Sequence, residues 1–271
     1  MALKRERQVT QLVIPVKAGM TGILLCLSAI PIAYADDTDI PTVTPYRPTV
    51  SNPASLPHAG WIEGEFGGLA THGEDGSRSG SVPWLVKVAL ADDYGNLVGG
   101  NAYVTSTPVG ERTTRGIGDL SLEWKQAFPL SEHAAFGIEV GEIVPTARHD
   151  LGVGKPASIV NGIYSVDFGA THLDVNLGGT RYTTRVPGVS RWQSTWASAA
   201  SWSLTPVWGA ALELSGSHQR GLPVQSQLLG AINYNESAHL VLDAGFAYGL
   251  ARAAHDKSIF AGATVLLGRI R

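Results

Sequence analysis

The stretch from His239 to Gly268, HLVLDAGFAYGLARAAHDKSIFAGATVLLG, decides how the rest of the chain is read. From Leu240 it alternates. Leu240, Leu242, Ala244, Phe246, Tyr248 and Leu250 share one parity; Val241, Asp243, Gly245, Ala247 and Gly249 share the other. A period of two puts alternate side chains on opposite faces of a strand. One face is therefore apolar and aromatic, while the other is small and carries a carboxylate. Beyond the polar run Arg252 to Lys257, residues Ile259, Ala261, Ala263, Val265 and Leu267 form a second apolar face opposite Phe260, Gly262, Thr264, Leu266 and Gly268. In a water-soluble barrel the apolar face would point inward, whereas in a membrane barrel it meets lipid and the small, polar face lines the lumen. Alternation alone leaves both open.

The same pattern recurs upstream. From Trp61 onward about twelve segments have strand character, each near the length a membrane strand needs. Leu120, Leu122 and Trp124 oppose Glu123 and Lys125, and Trp208, Ala210, Leu212 and Leu214 oppose Glu213. The connections decide what alternation does not. Long stretches (Thr71 to Ser81, Ser106 to Ile117, Pro145 to Ala157, Thr183 to Ser190, Ser217 to Pro223) alternate with tight turns (Asp92 to Gly95, Pro129 to Glu132, Thr205-Pro206, Asn235 to Ala238). Outer-membrane barrels have this asymmetry, with short periplasmic turns and longer external loops. Aromatic residues near strand ends (Trp61, Trp84, Trp124, Trp192, Trp202, Trp208, Tyr248) suit girdles at two lipid interfaces. The expected fold is all-β: a closed antiparallel transmembrane β-barrel of about twelve strands, occupying residues 61–271.

Composition agrees. Charged residues are 16% of the 271, and glycine contributes 32, few charges and many small residues compared with ordinary globular chains. Residues 1–35 read as a secretory signal peptide: Lys4, Arg5, Arg7 and Lys17 precede the apolar run Gly22 to Ala33, and Ala33-Tyr34-Ala35 offers a small-x-small cleavage site. The only cysteine, Cys26, lies in that leader, so the mature chain is expected to form no disulfide and no thiolate metal site. Loss of the leader makes a chain of net charge −3 more acidic still, which speaks against a nucleic-acid partner. Residues 36–60 hold Pro41, Pro45, Pro48, Pro53 and Pro57 without periodicity and read as a Pro-rich tether, either hanging free or folded into the barrel mouth.

Several segments resemble a known family. Gly116-Ile117-Gly118-Asp119-Leu120, Ile143-Val144-Pro145-Thr146, His172 to Gly178 (HLDVNLG) and Leu242-Asp243-Ala244-Gly245 through Gly249-Leu250 are similar to motifs of the outer-membrane transporter family labelled "MetA-pathway of phenol degradation". The likeness runs from about Trp61 to Gly268. It implies an outer-membrane β-barrel that passes small, often aromatic or apolar, compounds. The chain departs from the family pattern at Pro145-Thr146-Ala147, where P-T-G is usual. It also departs at Gly268-Arg269-Ile270-Arg271, where such barrels usually end in an aromatic residue, which weakens the expected assembly signal.

The predicted loops carry several residues with catalytic or metal-binding side chains. His149-Asp150, His255-Asp256 and Ser77, Ser79 and Ser81 contain the residue types of a hydrolase, but Gly76 to Gly80 reads G-S-R-S-G, with arginine where a nucleophile would stand. Adjacent His-Asp pairs do not make a triad, which is set in space. His58, His72, His149 and His255 show no ligand spacing on one element. Gly99-Gly100 and Gly178-Gly179 read as bends or bulges within strands. The expectation is a non-enzymatic barrel without cofactor or metal, whose partners are outer-membrane lipid and a small solute. Its candidate lumen-lining residues are Glu123, Lys125, Glu139, Asp167, Asp174, Asn176, Glu213 and Asp243. They would serve either as a polar constriction that selects solutes or as a paired network that holds the barrel shut.

Overall fold

The computed structural model describes residues 40–148, 151–251 and 255–270. The expected leader with Cys26, residues 36–39 of the tether, His149, Asp150 and Arg252 lie outside the described residues. The described chain forms β1 (Trp61–His72), β2 (Arg78–Ala89), β3 (Tyr94–Thr107), β4 (Thr114–Gly116), β5 (Leu120–Ser131), β6 (Ala134–Val144), β7 (Ala157–Phe168), β8 (Thr171–Tyr182), β9 (Trp192–Ser203), β10 (Trp208–Gln219), β11 (Gln225–Ser237), β12 (Leu240–Gly249) and β13 (Lys257–Arg269). Each long strand pairs antiparallel with its sequence neighbour, and β1 pairs with β13 from Trp61↔Arg269 to His72↔Lys257, which closes the ring. Twelve strands make the barrel. The short β4 lies in the 108–119 connection and pairs with Val104 to Ser106 of β3, beyond the point where β3 leaves β5. Closure removes the free edges whose backbone groups hydrocarbon would not tolerate.

The alternation expected from sequence is the alternation observed. Leu212, Leu242 and Phe246 are 48%, 42% and 58% exposed on the outside, whereas Glu213 and Asp174 are 1% and 8% exposed inside. Tyr94, Phe128, Phe136, Phe168 and Trp208 are exposed near the short turns, and Tyr103, Trp192 and Tyr248 near the long connections. An exterior of this kind suits a bilayer with aromatic rings at both interfaces. Three residues expected at strand ends depart from that: Trp84 and Trp124 stand mid-strand in β2 and β5, and Trp61, half-buried, packs with Ile40 against Val43, Val241 and Leu266, with the Arg269 guanidinium over its ring. Trp61 belongs to the packing of the N-terminal segment and not to a girdle.

Two of the register irregularities, besides those at Ile62/Glu63 and Asn235/Ser237, fall at prolines. One is at Val82/Pro83 and another at Pro129/Ser131; proline cannot donate to the ladder, so strands bulge at it. Pairing runs unbroken through Gly178 and Gly179, so these two glycines do not mark a bulge. The Gly179 position is filled from outside: a Cβ there would lie 2.5 Å from the Trp192 ring. A missing side chain lets an interfacial indole lie flat on the strand.

Candidate lumenal site

Residues 40–60 neither hang free nor stop at the mouth. They run inside the barrel, and the inward side chains of eight strands receive them. Thr44 N–H donates to both carboxylate oxygens of Glu63 (3.0 and 3.1 Å), and Tyr46 and Arg47 N–H donate to Glu65 (2.7 and 3.1 Å). Val50 and Ser51 N–H converge on Glu213 Oε2 at 2.7 and 2.8 Å. Asn52 N–H donates to Asn176 Oδ1 (2.9 Å), its side-chain amide donates to Glu139, and Asn176 returns a bond to Asn52 O (2.8 Å). Ala54 N–H donates to Ser165 Oγ (2.7 Å), which in turn bonds to Asp174. Five prolines leave this segment few N–H groups and no way to join a sheet. The donors of Thr44, Tyr46, Arg47, Val50, Ser51, Asn52 and Ala54 are met by side chains, while Val43 and Gly60 N–H donate to the backbone carbonyls of Ala238 and Ala89.

Three cations complete the network. Lys87 pairs with Glu63 (2.9 Å) and Glu65 (2.6 Å) and also donates to Thr44 O. Lys125 pairs with Glu139 (3.1 Å) and donates to Pro53 O (2.5 Å). Both ammoniums lie over the Tyr46 ring, at 4.3 and 4.1 Å from its centroid, an arrangement favoured by the ring quadrupole. Burial first, then the carboxylates of Glu139, Glu65 and Glu63, hold the Tyr46 phenol well above the ordinary tyrosine range, so it stays protonated and donates to Ser55 O at 2.8 Å. Arg47 forks onto Asp243.

Of the candidate lumen residues, Lys125, Glu139, Asp174, Asn176, Glu213 and Asp243 are buried and face this segment. Glu123 is half-buried and lines the space above it. Asp167 departs from expectation: its side chain is 49% exposed at the short-turn rim, where it bonds to His172 Nδ1 at 2.7 Å. It has lumenal parity but lies too near the end of β7 to reach the interior. Sequence reasoning missed Glu63, Glu65 and Arg47. The first two carry a signal, since IEGEF alternates; Arg47 carries none, because nothing in a Pro-rich stretch says where it points.

Above the segment, toward the long connections, lies a chamber of about 370 Å³. Val50 and Asn52 form its floor. Asn161, Thr180, Gln193, Thr195, Ser215, Ser217, Gln225, Gln227 and Ser258 line its wall, with carboxylates at Glu123, Glu139 and Asp256. No lysine, arginine or histidine lines it among the described residues. Chemically it offers carboxamides, hydroxyls and negative charge. Among the loop residues weighed as catalytic, Ser79 is buried beside Thr71 on paired strands, His255 Nδ1 lies 3.4 Å from the Tyr248 hydroxyl, and Ser77 and Asp256 both lie beside Gly73. No group of three metal-ligating side chains occurs among the described residues.

No family model matches the sequence, and no curated protein matches it either. Solved structures do match in shape. The COG4313 outer membrane channel from Pseudomonas putida F1 superposes with a TM-score of 0.61 at 13% identity, covering 86% of this chain and 100% of that one. The NanC porin gives 0.57 at 8% identity, covering 74% and 98%, and the CymD monoaromatic hydrocarbon channel gives 0.50 at 8%, covering 79% and 90%. At such identities the likeness is one of fold: a closed twelve-strand antiparallel barrel of the kind found in outer-membrane channels and porins.

Proposed function

We propose that the protein is an outer-membrane channel for small solutes, with long connections outside, short turns in the periplasm, and residues 40–60 acting as an internal plug that must shift for solute to pass. This places it with the small-molecule transporters that its "MetA-pathway of phenol degradation" motifs resemble. The observation that carries the reading is the chamber of about 370 Å³ floored by Val50 and Asn52. A barrel held together only by its contents has no need of a polar chamber above them.

The lining argues for the solute class. Carboxamides and hydroxyls bind neutral hydrogen-bonding groups, and a lining that holds carboxylates but no lysine, arginine or histidine among the described residues favours positive charge over negative. Neutral polar and cationic solutes are therefore favoured over anions. Reversal potentials in planar bilayers under a salt gradient test this, together with liposome swelling in arabinose, benzylamine and benzoate. Cation preference and slow benzoate entry are expected; anion preference would overturn it.

A second reading has an observation of its own. Seven backbone N–H groups of the plug, from Thr44 to Ala54, are met by lumenal side chains, as in a barrel meant to stay closed and to act through its external loops. Absence of conductance both in the wild type and in variants that release the plug would favour that reading.

A further inference from the structure

Beyond the lumen, the long connections at the end of β8, β9 and β10 hold a feature unrelated to the plug. Arg185, Arg191 and Arg220 line one open basin with Val186, Pro187, Val189 and Ser190, and no carboxylate lines it. None of the three guanidiniums forms an ion pair or side-chain hydrogen bond among the described residues. Elsewhere in this protein Arg47, Lys87 and Lys125 are each paired with carboxylate. Three unpaired arginines together repel one another, an arrangement that calls for an anion.

The basin is built rigidly. Ser190 N–H donates to Arg220 O (2.8 Å) and Gln219 Nε2 donates to Ser190 O (2.7 Å), which ties the 183–191 connection to the 220–224 connection. Gly221 has φ +96°, and a Cβ there would lie 2.2 Å from Gly188 O, so the two backbones meet where only glycine fits. The level in the bilayer is also marked. Arg191 directly precedes Trp192, which is 45% exposed on the outer face, with Trp196 four residues further along β9 at 37%. Arg181, exposed and paired in register with Trp192, adds a fourth cation beside them. Indoles mark the edge of the hydrocarbon, so the arginines stand at headgroup height.

We propose that Arg185, Arg191 and Arg220 form a binding site for the phosphorylated headgroup of an outer-leaflet lipid. Guanidinium forks match phosphate oxygens two at a time. The site rests on the outer-membrane orientation proposed above, but its test does not depend on conductance.

The test uses the full chain refolded in neutral detergent, with lipid binding followed by native mass spectrometry and by the thermal unfolding midpoint. The probes are diphosphorylated lipid A, the same lipid with its phosphates removed, and inorganic pyrophosphate. Expected are binding of the diphosphorylated lipid that weakens with salt, at least a tenfold loss on removing the phosphates, and a similar loss in the triple variant R185Q/R191Q/R220Q. Single Arg220→Gln, and the charge-keeping Arg220→Lys, cover the case in which the triple variant misfolds; both should lose affinity, the lysine less. Arg78→Gln with Arg112→Gln, at the start of β2 and in the 108–119 connection, should leave it unchanged. Equal binding of the dephosphorylated lipid, an undiminished triple or Arg220→Gln variant, or pyrophosphate competing at equal concentration would each overturn the lipid site. A channel that conducts but binds no lipid would fail here and leave the proposed function standing.

Discussion

Arg47 and Asp243, 196 positions apart in sequence, are joined by a two-bond fork: Nε lies 3.0 Å from Oδ2 and Nη2 lies 2.9 Å from Oδ1. The guanidinium reaches its partner over a floor of two glycines paired across β1 and β13, Gly67 and Gly262. A Cβ on Gly67 would come within 2.8 Å of Nη2, and one on Gly262 within 2.5 Å of Nε. The fork ties the plug to β12, three strands round the ring from Lys87 on β2. Removing one partner of a buried pair leaves the other uncompensated. Arg47→Ala is therefore expected to weaken docking of the plug by on the order of 3 kcal/mol, raising its released population about a hundredfold. Limited proteolysis within residues 40–60 and the frequency of channel openings should rise together. Unchanged protection would show that Arg47 does not hold the plug.

The plug can be locked as well as loosened. A Cβ built on Gly137 of β6 lies 3.4 Å from the Ala54 Cβ, within reach of a disulfide's spacing. The double variant A54C/G137C should cross-link on oxidation, and with Cys26 the chain's only other cysteine, expected to leave with the leader, the product is unambiguous. Openings in bilayers should vanish when it is oxidised and return on reduction. Full conductance in the oxidised protein would mean that solute passes without movement of this segment.

Glu213 tests how much of the docking rests on hydrogen bonds. Its Oε2 receives two backbone donors, while Oε1 has no partner among the described residues. Glu213→Gln keeps an acceptor for both and should cost little. Glu213→Leu strands Val50 and Ser51 N–H, which at about 1–3 kcal/mol for each orphaned donor should release the plug by proteolysis while leaving the barrel's resistance to heat in detergent intact. Equal behaviour of the two variants would show that those donors find other partners.

The outer face makes its own prediction. Leu212, 48% exposed in the middle of β10, should tolerate no charge if it meets hydrocarbon. Leu212→Arg is expected to cost about 2–4 kcal/mol when the barrel is folded into lipid vesicles, the range for arginine at the midplane. Urea titration in vesicles measures it. A neutral or stabilising effect would point to water on that face.

The residues that could be read from sequence are those whose position follows from a strand's period. His239 to Gly268 alternates, so Asp243 had to face inward once Leu242 and Phe246 faced out, and the same reasoning placed Lys125, Glu139, Asp174 and Glu213. Twelve long strands and their unequal connections followed from the same pattern. Illegible was everything a period does not govern. The path of residues 40–60 depends on carboxylates far away in the chain, so neither Arg47 nor Tyr46 could be placed. Parity fixes a face but not a depth, which is why Asp167 was expected in the lumen and stands at the rim. Trp61 was read as a girdle residue because the segment it packs against had no predicted location. The β4 strand, three residues long, exists only because β3 outlasts its pairing with β5.

Glu123 offers the sharpest test of the chamber's charge. Lys87 and Lys125 are consumed by Glu63, Glu65 and Glu139, and Arg47 by Asp243, so their charge is balanced where it stands. Glu123 lines the chamber and makes no ion pair among the described residues. In its ionised form this carboxylate can meet a passing cation, with carboxamides and hydroxyls nearby to replace water from the solute's shell. Glu123→Gln conserves shape and removes only the charge. In channels opened by Arg47→Ala, the added substitution should move the reversal potential toward zero under a potassium chloride gradient and slow benzylamine entry severalfold, with arabinose entry unchanged. Because the plug contacts are untouched, proteolytic protection of residues 40–60 should match the Arg47→Ala parent. A reversal potential that does not move would place the selecting charge elsewhere, leaving Glu123 a wall residue of the chamber and no more.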